Sequence, residues 1–240
     1  MAHRYLRRAS AVVAGGALTA AACYGAIAGA SWLRYGHVAE ASEAEADEWL
    51  DRFMPVYDVV ERHHIRVAAP AAITLAAAAE QNLSDQWLVR AIFNARAFVL
   101  GGSSGGGLES QQLLRYVTSM GWRILAVVEG REILVGAVTR PWEADVIFRG
   151  IPGPEFLGFT EADYIKIVWS LRADPIDSRT SVFRAETRAI ATDRRSRMKF
   201  RFYWSLASPG IALIRQLSLR PLRAEAERGA RGCRLIDTSA

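Results

Sequence analysis

Glu61 and His63 stand two residues apart in the run Tyr57-Asp58-Val59-Val60-Glu61-Arg62-His63-His64-Ile65. On an extended strand a spacing of two projects both side chains from one face. A carboxylate and an imidazole would then share one space, the pairing that general acid–base catalysis uses. The same pair would serve to orient a ligand, or would be satisfied by internal hydrogen bonds, with Arg184 or Arg188 as partners if the strand faces shift by one residue. His63 and His64 point to opposite faces and cannot share a metal, and the other two histidines, His3 and His37, lie far off in sequence. No metal and no other cofactor is expected. Gly102-Ser103-Ser104-Gly105-Gly106 matches the G-x-S-x-G string of hydrolases, but that elbow needs a strand before it and a histidine after it, and all four histidines lie upstream. No Lys-Ser/Thr pair follows those glycines, so a phosphate loop fails as well. No complete catalytic motif remains.

Arginine supplies 28 of the 30 basic residues, and the net charge is +5. Arg194, Arg195, Arg197, Lys199 and Arg201 cluster near the start of the last helical segment. There Arg194, Arg197 and Arg201 would form either a contact for an anionic surface or a solvated face. No aromatic and basic interleaving on a sheet points to nucleic acid. The two cysteines, Cys23 and Cys233, lie in the leader and the tail, where they cannot staple a core.

Several elements must position these groups. Arg4, Arg7 and Arg8 precede an uncharged run from Ala9 to Leu33, long enough to cross a bilayer. Residues 1–35 therefore read as a membrane anchor with the domain extracytoplasmic, or as a signal cut near Ala30. Residues 36–55 read as an acidic spacer, 56–228 as the folded domain and 229–240 as a disordered tail. A first strand is expected over 56–67, a helix from Pro70 to about Glu80, and a second from Ser84 or Asp85 to about Leu100. A Gly/Ser loop at 101–107 and a helical run over 108–120 follow. Strands return at 123–129 and 132–139 around Glu129-Gly130-Arg131, with a short one near 145–149 inside an irregular stretch from Pro141 to Phe159.

Alternation is clearest after Tyr164. Ile165, Ile167, Trp169 and Leu171 share one face, and after a turn at Asp174-Pro175 so do Phe183, Ala185, Thr187 and Ala189. Thr192-Asp193 then caps a helix whose Phe200, Tyr203, Trp204 and Ala207 form a core stripe, with Met198, Phe202 and Leu206 as a second apolar stripe. Ser208-Pro209 reads as the start of a further helix carrying Ile211, Ile214 and Leu217. No fixed-period repeat is present, which excludes solenoids and propellers. The implied fold class is α+β: a curved antiparallel sheet gripped by a long C-terminal helix.

This order, with the stretches Tyr57 to Pro70, the hairpin at Glu129-Gly130-Arg131, Tyr164 to Leu171, and Glu186-Thr187-Arg188 leading into Phe200 to Trp204, resembles the START-like helix-grip superfamily, also called SRPBCC. The resemblance implies a hydrophobic or amphipathic small molecule or lipid held between sheet and helix, or a cyclase/dehydrase type of enzyme using Glu61 and His63. The binding residues would then come from Glu61, His63, Ile165, Ile167, Trp169, Phe183, Thr187, Tyr203 and Trp204. A structural protein that recruits partners through the arginine face is the third alternative.

Overall fold

The computed structural model describes residues 2–81 and 113–237, with the side chains of residues 2–14, Ala17 and residues 234–237 excepted. Among them one antiparallel sheet holds β1 (Val59–Val67), β2 (Arg123–Val128), β3 (Glu132–Thr139), β4 (Phe148–Arg149), β5 (Ile165–Asp177) and β6 (Thr180–Ala191). The order across it is β1-β6-β5-β3-β2, and β4 extends the β2 side of β3. The helices are α1 (Ala2–Arg34), α2 (Glu48–Phe53), α3 (Ala71–Glu80), α4 (Leu113–Ser119), α5 (Gly153–Gly158) and α6 (Arg194–Asp237). The architecture is an open antiparallel sheet with a long C-terminal helix, as the alternation implies. The expected second helix and the Gly/Ser loop lie outside the described residues.

Glu129-Gly130 closes the β2–β3 hairpin, with Gly130 at φ 65° and the Arg131 amide donating to the Val128 carbonyl at 3.0 Å. Gly121 has no substitute where β2 meets β4. Its φ is +97°, and a Cβ there would sit 2.2 Å from the Phe148 carbonyl oxygen.

The two sheet faces are covered by different chemistry. Val67, Val135, Trp169, Leu171, Phe183 and Ala185 face α3, α4 and the C-terminal part of α6, while Val59, Ile165 and Ala189 pack with Phe200, Trp204 and Tyr35. On the opposite face Leu134, Val138 and Val168 pack with Leu50, Phe53 and Met54 from α2 and with Phe156 of α5. That face also carries charge. Arg188 is 1% exposed, and it donates to Glu186 at 2.7 Å, to Asp51 at 2.6 Å and to the Met54 carbonyl at 3.0 Å, over the Tyr57 ring. Burial opposes its charge, but the hydrogen bonds to Glu186 and Asp51 prevail and its pKa rises.

Five expectations change. The stretch 36–55 is more than a spacer, because Leu50, Phe53 and Met54 are buried core. The irregular stretch from Pro141 contains α5, which buries Phe156. The β5–β6 turn lies past Pro175, since pairing continues beyond it through a register shift to Asp177 and Thr180. There Asp177 accepts from the Arg179 amide at 2.7 Å. Ser208-Pro209 starts no new helix: α6 is continuous with Pro209 and Pro221 inside it. The Ser208 hydroxyl turns to Ser31 at 2.8 Å instead of capping, so packing against α1 carries the helix past the missing N–H. The helix also continues beyond Glu227 to Asp237, and Ala226 and Ala230 are buried in the cluster that holds α3, so the segment 229–237 is helical rather than a disordered tail.

The leader continues into the fold as well. Tyr35 stacks edge-on to Phe200 and donates to Asp58 at 3.2 Å, and Arg201 donates to the Trp32 carbonyl at 3.1 Å. Among the described residues no helix is long and apolar enough to cross a membrane.

Replacing Arg188 by Met leaves buried Glu186 with only Arg62, at 3.1 Å, as its ion-pair partner, and we expect a loss of about 1–3 kcal/mol in urea unfolding. The double variant with Glu186→Met should recover only part of that loss, because Arg62 then loses its carboxylate. A single variant as stable as wild type would refute the assigned role of the ion pair.

Candidate functional site

Register places the polar residues of the helix-facing side in one line. Glu61 stands opposite Thr187, Thr187 opposite Trp169, and Trp169 opposite Val135. In the neighbouring row His63 faces Ala185 and Leu171. Neighbouring strands lie about 4.8 Å apart, so these groups occupy one small area. His63 Nε2 is 3.5 Å from Glu61 Oε2, and the two side chains are 15% and 23% exposed. The approach lacks hydrogen-bond alignment, and Nε2 is buried with no hydrogen-bond partner.

Above this row lies α6. Arg215 follows Ile211 by four residues and precedes Leu222 by seven, which sets it on the core stripe. Its Nη2 donates to the Thr187 hydroxyl at 2.9 Å, and its guanidinium lies 5.5 Å from the Trp169 ring centroid. Burial lowers its pKa, and the charge of Glu61 partly offsets that effect.

The packing around Arg215 is uneven along the helix. Phe200 and Trp204 seal one end against Val59, Ile165 and Ala189, and Leu222, Ala226 and Ala230 seal the other. Between Ser208 and Leu222 no residue of α6 is fully buried, and beneath that stretch Glu61, His63, Ile65, Ile167 and Thr187 are all only half-buried. From Trp204 to Leu222 the helix rises about 27 Å. The strip of interface between those ends is incompletely buried and forms a shallow groove under the helix. Pro209 and Pro221 bracket the same stretch and remove the backbone donors that would meet the Ser205 and Leu217 carbonyls.

Every expected binding residue of the sheet lies on the helix-facing side, but they divide into two kinds. Ile165, Trp169, Phe183 and Trp204 are at most 8% exposed and are core, although the Trp169 ring still meets Arg215. Glu61, His63, Ile167 and Thr187 are half-buried and border the groove, and Tyr203 is half-buried in the cluster of Phe200 and Trp204 that seals its end. The recesses beside Trp49 and Glu132 and beside Arg62 and Ser170 lie on the opposite face and not in the place expected for a cavity, between sheet and α6. Of the expected arginine face, Arg194 and Arg197 are exposed, Arg197 while pairing with Asp58 at 3.0 Å, and half-buried Arg201 binds the Trp32 carbonyl and lies over its ring. The second apolar stripe is not buried, since Met198 and Phe202 are about 60% exposed.

Arg215 escaped the sequence reading. Its signal was present, because it is the only charged residue from Phe202 to Leu219, and it falls in register with Trp204 and Ile211.

A second charged cluster lies on the opposite face. Arg172 donates to the Ala46 carbonyl at 2.7 Å and pairs with Asp47 at 3.5 Å and Asp174 at 3.2 Å. Arg184 meets the same Asp174 oxygen at 2.9 Å. Beside it an open recess of about 460 Å³ is lined by Trp49, Asp51, Arg131 and Glu132, and a slot of about 10 Å³ lies among Arg62, His64, Ser170 and Arg184. Burial, then the hydrogen bond and charge of Asp47, push the Glu132 carboxyl from 4.5 up to about 9, so it is protonated at neutral pH. Among the described residues no group of acidic, His or Cys side chains could hold a metal.

No protein-family model matches the chain, and no curated protein matches it. Among solved structures, a hypothetical protein from Helicobacter pylori is 6% identical and superposes with a TM-score of 0.39, covering 78% of this chain and 99% of its own. An aromatase/cyclase from a Streptomyces species is 13% identical with a TM-score of 0.23, covering 71% of this chain and 94% of its own. Superpositions this loose carry no weight for activity.

Because folded Glu132 keeps its proton between pH 4.5 and about 9 while the unfolded chain releases it, stability should fall as pH rises through that window. Thermal unfolding followed from pH 5 to 9 should show a shallower decline in Glu132→Gln than in wild type. Identical slopes would exclude the buried proton.

Proposed function

We propose that the chain is a START-like helix-grip protein that binds a hydrophobic or amphipathic small molecule or lipid in the groove between sheet and α6. One observation carries the reading: α6 is packed tight at both ends, yet it is incompletely buried over the stretch that crosses Glu61, His63, Ile167 and Thr187. Protein interiors are close-packed, and an apolar groove with a few convergent polar groups is the usual form of a small-molecule site. The strand order supports the family reading, because β1 lies beside the last strand and so brings Glu61 and His63 under the closing helix.

The N-terminal segment stays with the folded chain in this reading: Tyr24 donates to the Leu206 carbonyl and Ala28 is buried, contacts that cleavage near Ala30 would discard.

Uptake of Nile red by the full chain tests the groove. Wild type should bind it, and Ile167→Trp, which fills the floor, should weaken binding by roughly tenfold or more, about 1.4 kcal/mol. Equal uptake by both proteins places the dye elsewhere and sinks the proposal.

The 3.5 Å approach of Glu61 to His63 favours a second reading, a cyclase/dehydrase type of enzyme in which Glu61 orients the imidazole as acid or base. His63→Gln should then abolish turnover of a polyketide-like substrate while sparing its binding. Unchanged turnover rejects that role.

A further inference from the structure

We infer that the groove selects ligands with an anionic head, a carboxylate or a phosphate, which Arg215 receives from α6 while the apolar tail lies along Ile65, Ile167 and Ile211. The inference rests on the groove reading above and adds the chemistry of the ligand's polar end. Arg215 is half-buried, and a guanidinium that has lost part of its water still has five donors to be matched by an anion or by several hydrogen-bond acceptors. Among the described residues Arg215 has neither: its contacts are one neutral hydroxyl on Thr187 and the face of Trp169. No carboxylate oxygen of a described residue lies within 4 Å of it, although the same guanidinium type elsewhere in this fold is paired wherever it is buried, as Arg188 is with Glu186 and Asp51 and Arg172 is with Asp47 and Asp174.

Glu61 is close enough to be felt but does not pair with Arg215, and it approaches the imidazole of His63 at 3.5 Å. The forked guanidinium suits both a carboxylate and a phosphate, because two parallel N–H groups meet two oxygens. One of those donors is already spent on Thr187, which fixes the plane of the fork over the row Glu61, Thr187, Trp169. His63 Nε2, buried and without a hydrogen-bond partner, offers a second polar contact in the adjacent row.

The test is calorimetric titration of the full chain with dodecanoate, dodecyl phosphate and dodecanol, which share a tail and differ in head. At least one anion should bind about tenfold or more tightly than the alcohol, a charge-assisted contact contributing on that scale, and the better of the two identifies the head. Arg215→Gln should bring the anions down to the affinity of dodecanol while leaving dodecanol unchanged, and Arg215→Lys should keep part of the preference. Wild type that binds all three alike overturns the anionic head while the groove reading stands. Arg215→Gln that keeps the preference also overturns it. If none of the three binds, the groove reading falls and the inference with it.

Discussion

A sheet whose central strands are buried on both faces must find cover on each side, and here the charge of Arg188 governs one of those covers. Its guanidinium is too deeply placed for water, so α2 has to bring Asp51 and the Met54 carbonyl over it. Once α2 is fixed, Leu50 and Phe53 complete the apolar packing on Leu134, Val138 and Val168. Arg172 repeats the device nearer the β5–β6 turn by holding the chain at Ala44 and Ala46. The acidic stretch before the first strand thus acts as a charged clamp on the sheet.

The other face follows a different rule. Its cover is almost wholly apolar, and α6 is fastened at its N-terminal end by Asp193, which caps the amides of Arg195 and Ser196 and whose carboxyl is held down at about 2, chiefly by the Asp163 and Ser196 amides. Asp58 ties the same corner together by accepting from Tyr35, Arg197 and the Ala191 amide. With both ends of the helix held by aromatic and aliphatic packing, the span between Pro209 and Pro221 crosses the sheet without sinking into it. The groove therefore arises where a rigid helix bridges two well-packed blocks, and its polar lining is the row in which Glu61, Thr187 and Trp169 meet.

Much of this was legible in the chain. Alternation in β1, β5 and β6 has a period of two, and burial on a sheet follows that period directly, so the face assignment of Glu61, His63, Ile167 and Thr187 was available from spacing alone. The Glu129-Gly130 hairpin was equally plain. Less legible were the roles of charged residues. Arg188, Arg172 and Arg215 look alike in sequence, yet one is a core ion pair, one a clamp and one a groove residue, because partners more than 100 positions away in the first two cases decide what each guanidinium meets. Prolines misled for a related reason. A local rule starts a new helix at Ser208-Pro209, but contact with α1 sustains one helix through Pro209, and packing with α3 does the same near Pro221.

The sequence by itself determined the strand faces, the antiparallel hairpins and the stripe of α6 that meets the sheet, since all of these follow from side-chain period and turn chemistry between near neighbours. Only the tertiary structure decided that Arg215 hangs over Thr187 and Trp169, that Arg197 and Arg201 meet Asp58 and Trp32, and that the middle of the helix stays incompletely buried. Those outcomes depend on where two remote surfaces touch and how far apart they stop, a distance set by the packing of the whole molecule and encoded at no single position.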